Sequence, residues 1–156
     1  MGAEADPFFK AMKVGADAEA AAKAAAKASA LEKLAALGLT EEEAQALVSH
    51  GKITVQAKNC MNCHTLLGNG AYYAPDLTKA WLDPFWGSNE VREQLMLEFI
   101  QNPSDKTHNG LGRRMPKLGI TPEEAKAIVA FLKWMSSIDT NGFPYNFKPI
   151  QQENQS

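Results

Sequence analysis

Cysteine is scarce in this 156-residue chain, with only Cys60 and Cys63, three positions apart. A bridge closing so short a loop would remove little unfolded-chain entropy. The pair is therefore read as chemistry, not as a staple for the fold. Long apolar runs are missing too. Nothing approaches the roughly 20 consecutive apolar residues that span a bilayer, and the alanine-rich region is broken by Lys23, Lys27 and Lys33. Neither sign of charge dominates: 16 basic and 18 acidic residues leave a formal charge of −2. That excludes the basic surface a nucleic-acid binder needs. Met1 to Pro7 carries Glu4 and Asp6 and lacks the basic-then-apolar layout of a secretory leader. Strand-like alternation is absent, which leaves an all-α chain.

Composition divides what is present into three parts. Residues 1–39 form an alanine-rich arm or linker. Between Ala16 and Ala36, Glu19, Lys23 and Lys27 recur at four-residue spacing on a strong helix former, with Asp17 to cap its start and Gly38 its end. Only Leu31, Leu34 and Leu37 offer it an apolar edge, so it reads as a solvated spacer, with packing on the rest of the chain or on a second copy as the alternative. Residues 40–142 have the texture of a compact domain. Thr40 and Glu43 form a capping box for a helix whose inner face is Ala44, Leu47, Val48, Gly51 and Val55. Residues 65–88, with Gly68, Gly70, Pro75, Pro84 and Gly87, read as loop. A second helix spans Asn89 to Gln101 with Val91, Leu95 and Phe99 inward, and Asn102 to Gly119 is loop again. Thr121 caps a last helix, with Pro122 in its first turn and Ala125, Ile128, Val129, Leu132 and Met135 on one face. Residues 143–156 read as an extended tail.

Cys60-Met61-Asn62-Cys63-His64 is the C-x-x-C-H pattern of covalent haem attachment. Two thiols add across the porphyrin vinyl groups as thioethers, and the adjacent histidine reaches the iron from the same side. A structural zinc site wants four ligands, and no further cysteines supply them. A redox dithiol leaves the histidine unexplained. One haem c attached through Cys60 and Cys63 is therefore expected, with His64 on the iron. Because such haem is attached outside the bacterial inner membrane, a periplasmic location is expected, with an export signal removed or replaced.

The iron then needs a sixth ligand or an open site. Met61 lies inside the attachment loop and Met12 in the distant arm, while Met96 and Met135 fall within helices, where methionine is more often core filler. Met115 sits in the loop Gly112-Arg113-Arg114-Met115-Pro116 before the last helix and is the favoured axial ligand; His50, His108 and an open site are the alternatives. Pro75 is placed to offer its carbonyl to the other imidazole nitrogen. Arg113 and Arg114 are candidates to pair with a haem propionate or are simply solvated. Tyr72, Tyr73 and Trp81 line the haem edge or serve as ordinary packing.

Helix, C-x-x-C-H, proline loop, methionine loop and final helix together resemble a class I cytochrome c. In that family the first and last helices cross near a glycine, and Gly51 is well placed to do so against Phe131 or Trp134, with Val55 where an aromatic is common. The run Cys63-His64-Thr65-Leu66-Leu67-Gly68-Asn69-Gly70-Ala71-Tyr72-Tyr73-Ala74-Pro75-Asp76-Leu77, the Gly112–Pro116 loop and Phe131-Leu132-Lys133-Trp134 through Ile138-Asp139-Thr140-Asn141 are similar to the small cytochrome c subunit of bacterial nitric oxide reductase. The resemblance covers roughly Gly51 to Tyr145. It implies His64 and Met115 as iron ligands, and a non-catalytic subunit of a denitrifying respiratory chain that takes electrons from a soluble donor and passes them to a membrane-bound reductase. That family begins with a membrane-spanning helix where this chain has its lysine-bearing arm.

The leading expectation is thus an electron-transfer protein and not an enzyme, either bound to a membrane reductase or working as a free carrier. Lys58, Lys79, Lys106 and Lys117 are candidates for its docking face, against the plainer reading of solvated lysines. A gas-binding haem with an open distal side is the second class. An assembly protein joined through the N-terminal helix is the third.

Overall fold

The computed structural model describes Ala21, residues 40–104 and residues 113–145. Ala21 is helical; the rest of the arm, Lys106, His108, Gly112 and the tail from residue 146 lie outside the described residues. Three α-helices are described after Thr40: α1, Glu41–Ala57; α2, Asn89–Gln101; and α3, Pro122–Ser137.

Capping boxes start α1 and α3. Thr40 N–H donates to Glu43 Oε2 at 2.8 Å and Glu43 N–H to Thr40 Oγ1 at 3.2 Å, and Thr121 and Glu124 repeat the exchange at 2.9 and 3.2 Å. Each box satisfies two of the backbone donors that a helix start leaves without partners.

The buried face of α1 is Ala44, Val48, Gly51, Thr54 and Val55, and it packs on α3. The crossing is set by Gly51. A Cβ there would stand 1.9 Å from Ala127 O and 2.8 Å from Phe131 Cβ, so only glycine lets the two backbones approach this closely. Of the two contacts the sequence suggested, Phe131 meets Gly51; Trp134 instead stacks on Phe131, with ring centroids 6.0 Å apart. Beyond the expected face of α3, Ala127 and Ala130 are also buried, because α1 and α2 cover it from two sides. Lys58, just past α1, pairs with Glu124 at 3.1 Å and donates to Gly119 O at 3.3 Å.

Helix α2 begins and ends where expected but faces the core differently. Its buried residues are Arg92, Met96 and Ile100, whereas Val91 and Leu95 are exposed and Phe99 is only partly covered. The stripe is turned by one residue. The cause is Arg92, whose guanidinium donates to Asn89 Oδ1 at 2.8 Å and Gly87 O at 3.0 Å and lies 5.6 Å from the Trp81 ring centroid. With its polar atoms largely paired and its plane against an aromatic ring, an arginine can occupy an inward position.

The segment read as loop between α1 and α2 contains short regular pieces. Thr65–Leu66 (β1) pairs antiparallel with Asn69–Gly70 (β2), and 3₁₀ turns occupy Ala80–Leu82 and Pro84–Trp86. A two-residue ladder is too short to leave an alternation in the sequence.

Candidate haem attachment site

Helix α1 ends at Ala57, and Asn59 turns the chain away with φ 56°, a left-handed conformation that asparagine tolerates. The 3₁₀ turn Cys60–Asn62 follows, and the N–H groups of Cys63 and His64 both donate to Cys60 O, at 3.2 and 2.9 Å. One turn of chain therefore carries both cysteines and the histidine. All three are partly buried, and the thiols are not bridged to each other. Burial pushes the Cys60 thiol up, so the free side chain is protonated at neutral pH. A redox dithiol shows the opposite tendency.

The loop after His64 folds back over this turn. Gly70 allows it: at φ +116° a Cβ would stand 2.2 Å from His64 O. Ala71 N–H then donates to Met61 O at 3.0 Å, Ala74 N–H to Cys63 O at 2.8 Å and Leu77 N–H to Thr65 O at 2.8 Å. Two fully buried threonines tie the loop internally. Thr65 Oγ1 donates to Ala71 O, and Thr78 Oγ1 accepts from Leu67 N–H, each at 2.8 Å. Sequence reading missed both threonines, because nothing local marks a threonine whose partner lies across a loop.

The outcome of this folding is the setting of His64. Its Nδ1 donates to Pro75 O at 2.7 Å. A carbonyl oxygen only accepts, so the proton sits on Nδ1 and the lone pair on Nε2. Burial lowers the pKa of the imidazole, opposed by the Pro75 hydrogen bond and by the charge of Asp76. The ring is neutral at pH 7, the form in which a histidine binds a metal.

The other candidates are distributed as follows. Met115 is half-buried in the irregular segment that leads to α3. Met96 and Met135 are 1% and 0% exposed in the hydrophobic core, as core filler should be. His50 is exposed on α1. Arg113 donates to Tyr73 O at 2.5 Å and lies 4.8 Å from the Tyr73 ring centroid, joining the methionine segment to the loop after His64. Arg114 and Tyr72 are exposed. Trp81 belongs to a different neighbourhood. Its backbone N–H donates to Ser136 Oγ at 3.2 Å, and Arg92 and Lys133 lie over its ring, Lys133 at 4.8 Å from the centroid.

Two of the four candidate docking lysines are already engaged. Lys79 Nζ donates to Ser136 O at 3.0 Å and Ile138 O at 2.5 Å, where α3 ends. Lys58 holds Glu124 and Gly119. Lys117 is exposed. Among the described residues no helix is long and apolar enough to cross a membrane, and no three His, Cys, Asp or Glu side chains converge as a metal cluster.

Two unbridged cysteines and a neutral histidine on one turn, with the histidine's Nδ1 committed to a backbone carbonyl, fit a covalent haem c. The cytochrome c family model matches residues 48–136, a span that takes in this turn and most of α1, α2 and α3. The chain belongs to the cytochrome c family: it carries haem c through Cys60 and Cys63 and transfers single electrons. More particularly, it is similar to a nitric oxide reductase subunit found in several bacteria. The Stutzerimonas stutzeri protein is 34% identical over 107 residues, 68% of this chain and 70% of that one. The Paracoccus denitrificans protein is 34% identical over 108 residues, with the same coverage of each. The Halomonas halodenitrificans protein is 32% identical over 108 residues, 69% of this chain and 67% of its own length.

Proposed function

We propose that the protein is an electron carrier in which His64, through Nε2, and Met115, through its thioether, would hold the haem iron. The observation that carries this reading is the 2.7 Å bond from His64 Nδ1 to Pro75 O, which leaves one ring nitrogen for the metal and fixes the orientation of the ring. When bound, the haem supplies a one-electron couple, and thioether ligation favours its reduced state. The chain's own residues orient and shield. Pro75 holds the imidazole, Gly70 lets the loop close over the attachment turn, and Arg113 anchors the methionine segment through Tyr73.

In the same reading residues 40–142 are the haem domain, residues 1–39 an arm and residues 143–156 a tail. The protein works in the periplasm, takes electrons from a soluble redox donor and delivers them to a membrane reductase like the one named for its relatives. Lys58 and Lys79 are tied into the fold, and the cationic side chains offered for docking are the exposed Arg114 and Lys117, in one stretch of chain with Arg113, which is held against Tyr73. The two arginines are also the candidates for the haem propionates.

Replacing Met115 by Ala tests the ligand assignment. The thioether-to-iron charge-transfer band of the oxidised protein should vanish and the reduction potential should fall. An unchanged band and potential would refute Met115. A high-spin wild-type spectrum with rapid carbon monoxide binding would instead favour the gas-binding class.

A further inference from the structure

The loop that holds His64 carries a charge that its own folding does not need. Asp76 Oδ1 accepts from Thr78 N–H at 2.7 Å and closes an Asx turn, and Thr78 Oγ1 in turn holds Leu67 N–H. An asparagine would close the same turn through its own Oδ1. The second carboxylate oxygen, Oδ2, is buried and has no hydrogen-bond partner. Burying an unpaired carboxylate oxygen is unfavourable, so the turn alone gives no reason for aspartate over its amide. What lies beside the charge supplies one. Asp76 is bonded directly to Pro75, whose carbonyl takes the His64 Nδ1 proton.

We propose that Asp76 is a positioning residue that sets the potential of this cytochrome: its fixed negative charge behind His64 holds the reduction potential lower than a neutral side chain would. The inference rests on His64 being an iron ligand. The oxidised iron carries one more positive charge than the reduced iron. A nearby carboxylate in a partly desolvated setting therefore stabilises the oxidised state more, and it also strengthens the imidazole as a donor through the Pro75 peptide. Pro75 orients the ring, and Asp76 adds the charge.

The experiment is potentiometric titration of the full-length haem protein, followed by its visible spectrum, for wild type, Asp76→Asn, Asp76→Ser and Asp76→Glu. Asn and Ser keep a side-chain acceptor for the Thr78 N–H, whereas Glu keeps the charge. The expected result is a higher potential in Asn and Ser with the axial-ligand spectrum unchanged, and a return toward wild type in Glu. A wild-type potential in the neutral variants overturns the proposal. So does loss of the axial-ligand spectrum in both of them, since Asp76 would then be structural. A wild-type protein lacking the low-spin spectrum refutes the His64 and Met115 assignment itself, a result distinct from failure at Asp76.

Discussion

Lys79 illustrates how a side chain's role depends on where its polar end arrives. In the sequence it is one lysine among several; in the fold it caps the last carbonyls of α3, donating to Ser136 O and Ile138 O. Cations at a helix C-terminus meet both unpaired carbonyls and the negative end of the macrodipole. Burial lowers the pKa of Lys79, and Asp139 partly restores it. Glu124 is the counterpart at the other end of α3. The Thr121 N–H bond, and after it Lys58, hold its carboxyl below the usual value of 4.5. A carboxylate that titrates lower in the folded than in the unfolded chain adds stability above its unfolded pKa and loses it as pH falls through its folded one. Glu124→Gln keeps a capping-box side chain but removes the charge. Thermal melts should therefore show wild type ahead of the variant at neutral pH, with the gap closing as pH drops below about 4.5. A gap independent of pH would exclude the charge as its source.

Among the elements, the α1–α3 crossing organises the rest. Gly51 sets its depth, and Gly51→Ala would drive a methyl group into the Ala127 backbone, which cannot yield as a side-chain tip can. The cost should reach the top of the roughly 1–3 kcal/mol range for overpacking or exceed it. Urea unfolding of the haem protein would measure it, and a loss below about 0.5 kcal/mol would mean that the helices separate freely. Helix α2 shows the limit of periodicity. Val91, Leu95 and Phe99 make as regular a stripe as Arg92, Met96 and Ile100, one position apart. Choosing the apolar set was reasonable and led to the wrong face, because a partner for arginine at Trp81 is invisible along the helix itself.

On the scale of the whole molecule, the near-neutral balance of −2 conceals a local excess of positive charge. Arg113, Arg114 and Lys117 are exposed within five residues of one another, so their fields add where a charged partner approaches. Electron transfer to a small anionic oxidant such as ferricyanide should therefore slow with added salt, and Arg113→Gln with Arg114→Gln should slow it further and flatten that dependence. An unchanged salt slope in the double variant would place the reactive edge elsewhere. Arg113 also bonds Tyr73 O, so Arg114→Gln alone separates loss of charge from loosening of the loop.

The attachment pattern, the capping box at Thr40, the cap at Thr121 and the limits of α2 were legible in the sequence, since each depends on residues within about four positions of each other. Local hydrogen bonding and helix geometry relate such neighbours whatever the rest of the chain does. The Pro75 carbonyl was anticipated as a partner for His64, and the structure supplies the bond. Other features became visible only after folding. Lys79 reaches Ser136 across 57 positions, Trp81 reaches the same residue across 55, and Asp76 is notable only because its second oxygen is buried. The chain by itself determined that haem is attached at Cys60 and Cys63, and where the flanking helices begin. The tertiary structure alone decided which side chains are committed to holding the fold and which are not. Burial and partner choice are properties of the packed molecule, and no short window of sequence contains them.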